Sequence, residues 1–181
     1  TTRFAEANTR AAAMVGSYAA SAAEGHKAEQ LFAQVSKRYL PATRYPYVKR
    51  ATQKQDIHDH VDFEVSVLRD PDDVTSFARH VCLVDVKAPK RANRGGSVDG
   101  GTMWIELKNK NGYPGWVFGK ADYIAQQISQ GRFVMMSRDK LREYAEAKAR
   151  DVPYSKHQRP ENPKELVIRA EMQDCIAKCG V

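Results

Sequence analysis

The run Val81-Cys82-Leu83-Val84-Asp85-Val86-Lys87 reads as a buried strand until its last three residues, where an acid and a base stand in place of apolar side chains. Its length and β-branched content predict a central strand of a sheet. Burying a carboxylate and an ammonium on such a strand is costly unless they pair or hold a metal. Side chains two residues apart in a strand point the same way, so Asp85 and Lys87 are expected on one face and Val84 and Val86 on the other. An anion and a cation then sit side by side at the strand end, just before the turn that Ala88-Pro89-Lys90 begins.

Working upstream, His58 to Val67 alternates well enough to predict a second strand, with Val61, Phe63, Val65 and Val67 on one face and Asp62 and Glu64 on the other. The turn signal Asp70-Pro71-Asp72-Asp73 closes it, which makes the two acid-bearing strands antiparallel neighbours. His60, Asp62 and Glu64 have ligand chemistry, although alternating acids on a solvated strand face are ordinary. Downstream, Lys90, Arg91 and Arg94 with Gly95-Gly96 form a basic loop leaving the acidic strand end, suited to a phosphodiester backbone. Between Lys37 and Lys54 the cations Lys37, Arg38, Arg44, Lys49, Arg50 and Lys54 have no acid among them, and Tyr39, Tyr45 and Tyr47 are interleaved. Cations with stacking rings suit nucleic acid; a solvated loop with tyrosines packed on the core is the alternative.

The rest of the chain supplies an α/β frame. An Ala-rich helix from about Ala5 to Ala23 has a thin apolar face, and Gly25 is expected to end it. A second helix from His26 to Leu40 carries Leu31, Phe32, Val35 and Tyr39 at helical spacing, with Glu29 near its inner edge, and stops before Pro41. Further strands are expected at Thr102–Leu107, Ala121–Ala125, Phe133–Met136 and Glu165–Arg169, a hairpin-like turn at Asn109–Gly115, and helices at Arg138–Arg150 and the C-terminus. The expected architecture is a mixed sheet flanked by helices, with residues 1–24 as an N-terminal helical extension and 25–181 as one domain.

Twenty-nine Lys and Arg against 22 Asp and Glu give a net charge of +7 and a pI near 9.3, which favours a polyanionic partner. Cys82, Cys175 and Cys179 are odd in number and one lies in the core strand, so a disulfide framework is not expected and a reducing compartment fits. No apolar stretch approaches a membrane span, so a cytoplasmic protein is expected. The chain has no Walker loop, dinucleotide fingerprint or nucleophile elbow, and Cys175 and Cys179 lack a second ligand pair for zinc.

Gly25-x-x-x-Glu29 in a helix, Asp62 on one strand and Asp85-Val86-Lys87 on the next resemble the PD-(D/E)XK nuclease superfamily, which has the restriction-endonuclease-like fold. Val61 stands where proline is frequent, and the first acid of the tripeptide is Asp85 rather than Glu; neither change removes a ligand. Trp104-Ile105-Glu106-Leu107-Lys108-Asn109 and Gly115 to Ala125 are similar to phage-encoded members of that superfamily. The resemblance implies a metal-dependent deoxyribonuclease, an endonuclease in preference, acting on branched, recombination or repair intermediates. It implies Mg²⁺, replaceable by Mn²⁺, held by Asp62, Asp85, the Val86 carbonyl and Glu29, with a place in the host cytoplasm for a phage-encoded chain.

The chemistry agrees with the residue types. Phosphodiester hydrolysis needs an activated water and neutralisation of charge on the phosphoryl group and leaving oxygen, and carboxylate-held Mg²⁺ supplies both. Lys87 would orient the water or, with a lowered pKa, deprotonate it. Tyr45, Tyr47, Lys49, Arg50, Lys90, Arg91 and Arg94 would grip DNA, and a two-fold homodimer would cut both strands. The alternative is a non-catalytic DNA-binding module on the same fold.

Overall fold

The computed structural model describes residues 2–39, 47–68, 79–89, 100–151, 158–159 and 162–181. In chain order these form helix α1 (Thr2–Tyr39), strands β1 (Val48–Arg50), β2 (Phe63–Leu68), β3 (Arg79–Lys87), β4 (Thr102–Lys108), β5 (Tyr123–Ser129) and β6 (Arg132–Ser137), helix α2 (Arg138–Asp151), strands β7 (Gln158–Arg159) and β8 (Asn162–Glu171), and helix α3 (Met172–Cys179). Five strands make a mixed sheet in the order β1-β2-β3-β5-β6, and β4-β8-β7 make a second, antiparallel one. The protein is therefore a mixed α/β structure.

The run Val81–Lys87 is the central strand of the five, extended back to Arg79. It pairs antiparallel with β2, Phe63 opposite Val84, and parallel with β5, Val84 opposite Tyr123. As the alternation requires, Val84 and Val86 join Phe63, Val65 and Ala125 in an apolar layer against Ala28 and Phe32 of α1. Phe32 meets Phe63 and Phe133 at ring separations of 5.5 and 5.4 Å. On the opposite side, Ile124 and Met136 pack into a larger core made with β4, β8, α2 and α3, centred on Met103, Ile105, Leu141 and Ile168. One face of the main sheet is thus covered by a single helix and the other by a second sheet with two helices.

Three expectations need correction. Gly25 does not end a helix: α1 runs through it, because a glycine costs a helix only about 1 kcal/mol and nothing lies within 4 Å of the place a Cβ would occupy. The boundary expected after residue 24 therefore falls inside a continuous helix. The strand expected from His58 starts only at Phe63, since Gln55–Asp59 close a π-helical turn that ends at His60 in the left-handed region, φ 51°. The expected single mixed sheet is two sheets: Thr102–Lys108 is a strand of the second, and a 3₁₀ turn at Trp116–Phe118 precedes β5. Among the described residues no helix is long and apolar enough to cross a membrane.

Candidate active site

Asp62 precedes β2, yet it stays tied to β3. Its N–H donates to the Val84 carbonyl at 2.9 Å, and its Oδ2 accepts the Val86 N–H at 2.7 Å. The carboxylate thus takes over the ladder position that the β2 backbone gives up when the chain turns away through His60. On the same strand, Lys87 Nζ lies 2.8 Å from Asp85 Oδ1. Asp85 is only 2 % exposed, and its Oδ2 is buried with no hydrogen-bond partner among the described residues. The face-sharing expected of residues two apart is realised as a direct ion pair.

A cleft of about 250 Å³ opens over this cluster. Its walls include Asp85, Val86 and Lys87 from β3, Asp62 just before β2, Glu24 and Glu29 from α1, Asp56 of the π turn and His60 that follows it, and Trp116. Burial drives the Asp85 carboxyl up to about 7; the adjacent Asp62 adds to the rise and Lys87 opposes it. For Lys87, burial pulls the pKa down, but the Asp85 charge and hydrogen bond outweigh it, with Asp62 and Glu106 adding, and the net direction is upward. Lys87 is a held cation, and the role as a base that a lowered pKa would permit is not supported. Its ammonium also stands 4.9 Å from the Trp116 ring centroid, a cation–π contact that fixes its direction.

Glu29 reaches the cleft wall from α1, where its carboxylate pairs with the Arg50 guanidinium and lies 3.5 Å from His26 Nδ1. Arg50 is in addition 6.0 Å from the Phe63 ring, and Lys49 pairs with Glu64 at 3.4 Å. Two cations expected to grip a ligand are therefore engaged with acids, although both remain more than half exposed, at 53 % and 64 % of their side chains. Tyr47 is exposed on the approach to β1. Tyr45, Lys90, Arg91 and Arg94 lie outside the described residues. Glu64 is held by Gln55 and Lys49, so His60, Asp62 and Glu64 do not assemble; among the described residues no three His, Cys, Asp or Glu side chains form a metal-ligand group.

Glu24, Asp56, His60 and Trp116 line the cleft but were not assigned to the site from sequence. Burial and then the Lys87 charge lower the His60 pKa, against Glu106, Asp56 and Asp62. The signal for its placement is Gly119: a Cβ there would come within 2.6 Å of the Asp59 carbonyl oxygen and 2.8 Å of His60 Cβ. Asp122 is a brace, since its Oδ2 accepts the Leu83 N–H at 2.7 Å while its own N–H donates to the Leu83 carbonyl at 2.8 Å. Together these residues define an α/β protein with two carboxylates and a lysine gathered at the end of a central strand. Comparison with family models, curated proteins and solved structures found no match.

Proposed function

We propose that the protein is a metal-dependent deoxyribonuclease of the PD-(D/E)XK type, with a restriction-endonuclease-like core. The observation that carries this reading is the buried Asp85, whose Oδ2 has no hydrogen-bond partner among the described residues although Oδ1 is paired with Lys87, and whose carboxyl interacts with that of Asp62 alongside. A carboxylate oxygen buried without a donor is costly, and a hard cation shared with Asp62 would satisfy it. The antiparallel pairing of β2 with β3, which brings Asp62 beside Asp85, supports the reading.

Asp62, Asp85 and the Val86 carbonyl would hold Mg²⁺ or Mn²⁺, which take oxygen ligands and keep several waters. When bound, the ion supplies an activated water and neutralises charge on the phosphoryl oxygens. Lys87, protonated and oriented by Asp85 and Trp116, places a positive charge where the transition state gains negative charge and donates a hydrogen bond to the attacking water or a phosphate oxygen. Glu29 would join the ligands once Arg50 leaves it for a DNA phosphate, an exchange available to a half-exposed guanidinium. Lys49 and Tyr47 would flank the same path. The test is whether Mg²⁺-dependent cleavage of DNA is lost in Asp85→Ala.

One observation favours a second reading. With Glu29 held by Arg50 and no three-ligand group among the described residues, the fold would also serve as a DNA-binding module without chemistry. DNA binding that persists while neither Mg²⁺ nor Mn²⁺ supports cleavage would select it. Homodimerisation and a cytoplasmic location remain part of the nuclease proposal, to be tested by sedimentation of the full chain and by its distribution in cells.

A further inference from the structure

The segment between β4 and β5 builds a second concave surface beside the cleft. Asn109 Oδ1 accepts the N–H groups of Asn111 and Tyr113 at 2.9 and 3.1 Å, and Gly112 takes the left-handed conformation at φ 85°. Lys108 and Pro114 pair across its base, so the turn is a fixed element, and it holds Tyr113 67 % exposed. Beneath it lies a pocket of about 430 Å³, its apolar wall made by Leu107, Pro114, Phe118, Ala149 and Leu166.

Charge frames this pocket. Lys108 and Glu146 line it, and Lys164 runs beside the turn, its Cβ 3.7 Å from where a Gly112 Cβ would stand. Lys108, Lys110 and Lys164 are all exposed. Glu146, partly buried, is the acid of this lining. An alkyl chain would have no use for a wall carrying both a donor and an acceptor, whereas the edge of a nucleobase carries both kinds of group. The 3₁₀ turn links this pocket to the cleft, with Phe118 lining the pocket and Trp116 the cleft.

We propose that this surface binds an unpaired DNA nucleotide adjoining the cleft, its base in the pocket against Phe118 and Pro114, a neighbouring base on Tyr113, and the backbone along Lys108, Lys110 and Lys164. Aromatic stacking beside lysines is how single strands are held without sequence preference. The inference rests on the DNA reading of the cleft and names the substrate as a duplex bearing a single-stranded tail.

The experiment compares fluorescence-anisotropy affinities for a blunt duplex and the same duplex with a short single-stranded tail, in EDTA. Tyr113→Ala and Lys164→Ala alter exposed side chains, and Phe118→Ala alters the pocket. The unmodified protein is expected to prefer the tailed duplex, and Tyr113→Ala and Phe118→Ala each to weaken tailed binding about tenfold with blunt binding unchanged. Absence of tail preference, or preference undiminished in both Tyr113→Ala and Lys164→Ala, overturns the proposal. A tail preference that the variants lose, in a protein that cleaves nothing with Mg²⁺ or Mn²⁺, would refute the nuclease reading and leave this surface standing.

Discussion

Asp85 carries the highest electrostatic cost visible at the site, and its titration gives that cost a sign. Its folded pKa of about 7 lies above the usual 3.8, so between those values the folded protein keeps a proton that the unfolded chain has released. Stability contributed by this group is greatest below about pH 4, falls as pH rises to 7, and is level above that; the span is on the order of 4 kcal/mol. In Asp85→Asn the window disappears, so urea unfolding between pH 4 and 7 is expected to be flatter than in the wild type. Equal slopes for the two proteins would show that Asp85 ionises normally. Lys87, raised by its partner, contributes stability that is present below its usual 10.5 and is lost as pH climbs through its higher folded value. Lys87→Gln is expected to lower metal-dependent cleavage by about a hundredfold or more while DNA binding in EDTA changes little; retained cleavage would remove the lysine from the chemistry.

At the scale of elements, the strands that bear the site were legible and their approach was not. Period-two alternation identified β3 and put Asp85 with Lys87, because Val84, Asp85 and Val86 are buried on both faces of the strand and each side chain there has one place to go, although Val81 is 42 % exposed. The start of β2 was misjudged, because a π-helical turn and a left-handed histidine have no periodicity to read. Gly25 misled for the opposite reason: its local preference is weak, and the helix around it prevails. Gly119 is where close packing enforces the turn, so Gly119→Ala is expected to cost roughly 1–3 kcal/mol and to displace His60, measurable by denaturant unfolding and by the His60 ring NMR signals. Helix α1 is anchored by Phe32, which is 5 % exposed and sits between Phe63 and Phe133. Phe32→Ala is expected to lose about 3–5 kcal/mol, and a loss below 1 kcal/mol would mean that α1 does not cover the sheet as described.

Across the whole molecule, the two cores divide labour. The larger one, with β4, β8, α2 and α3, braces β5 and β6, and the smaller one seats α1 so that Glu24 and Glu29 overlook the end of β3. Composition raises the expectation of a polyanionic partner through the +7 charge, but it carries no information on which cations are engaged. Lys49 meets Glu64 through the β1–β2 pairing and Arg50 meets Glu29 through the seating of α1 beside β1, both across distances in sequence that only the fold closes. The most direct measurement is cleavage of linear duplex, single-stranded, nicked and four-way-junction DNA in Mg²⁺, Mn²⁺ and EDTA, wild type beside Asp85→Ala. Metal-dependent cleavage by the wild type, absent in EDTA and in Asp85→Ala, is the expected result. Cleavage undiminished in Asp85→Ala, or none by the wild type on any substrate with either metal, would contradict a nuclease site built on Asp62, Asp85 and Lys87.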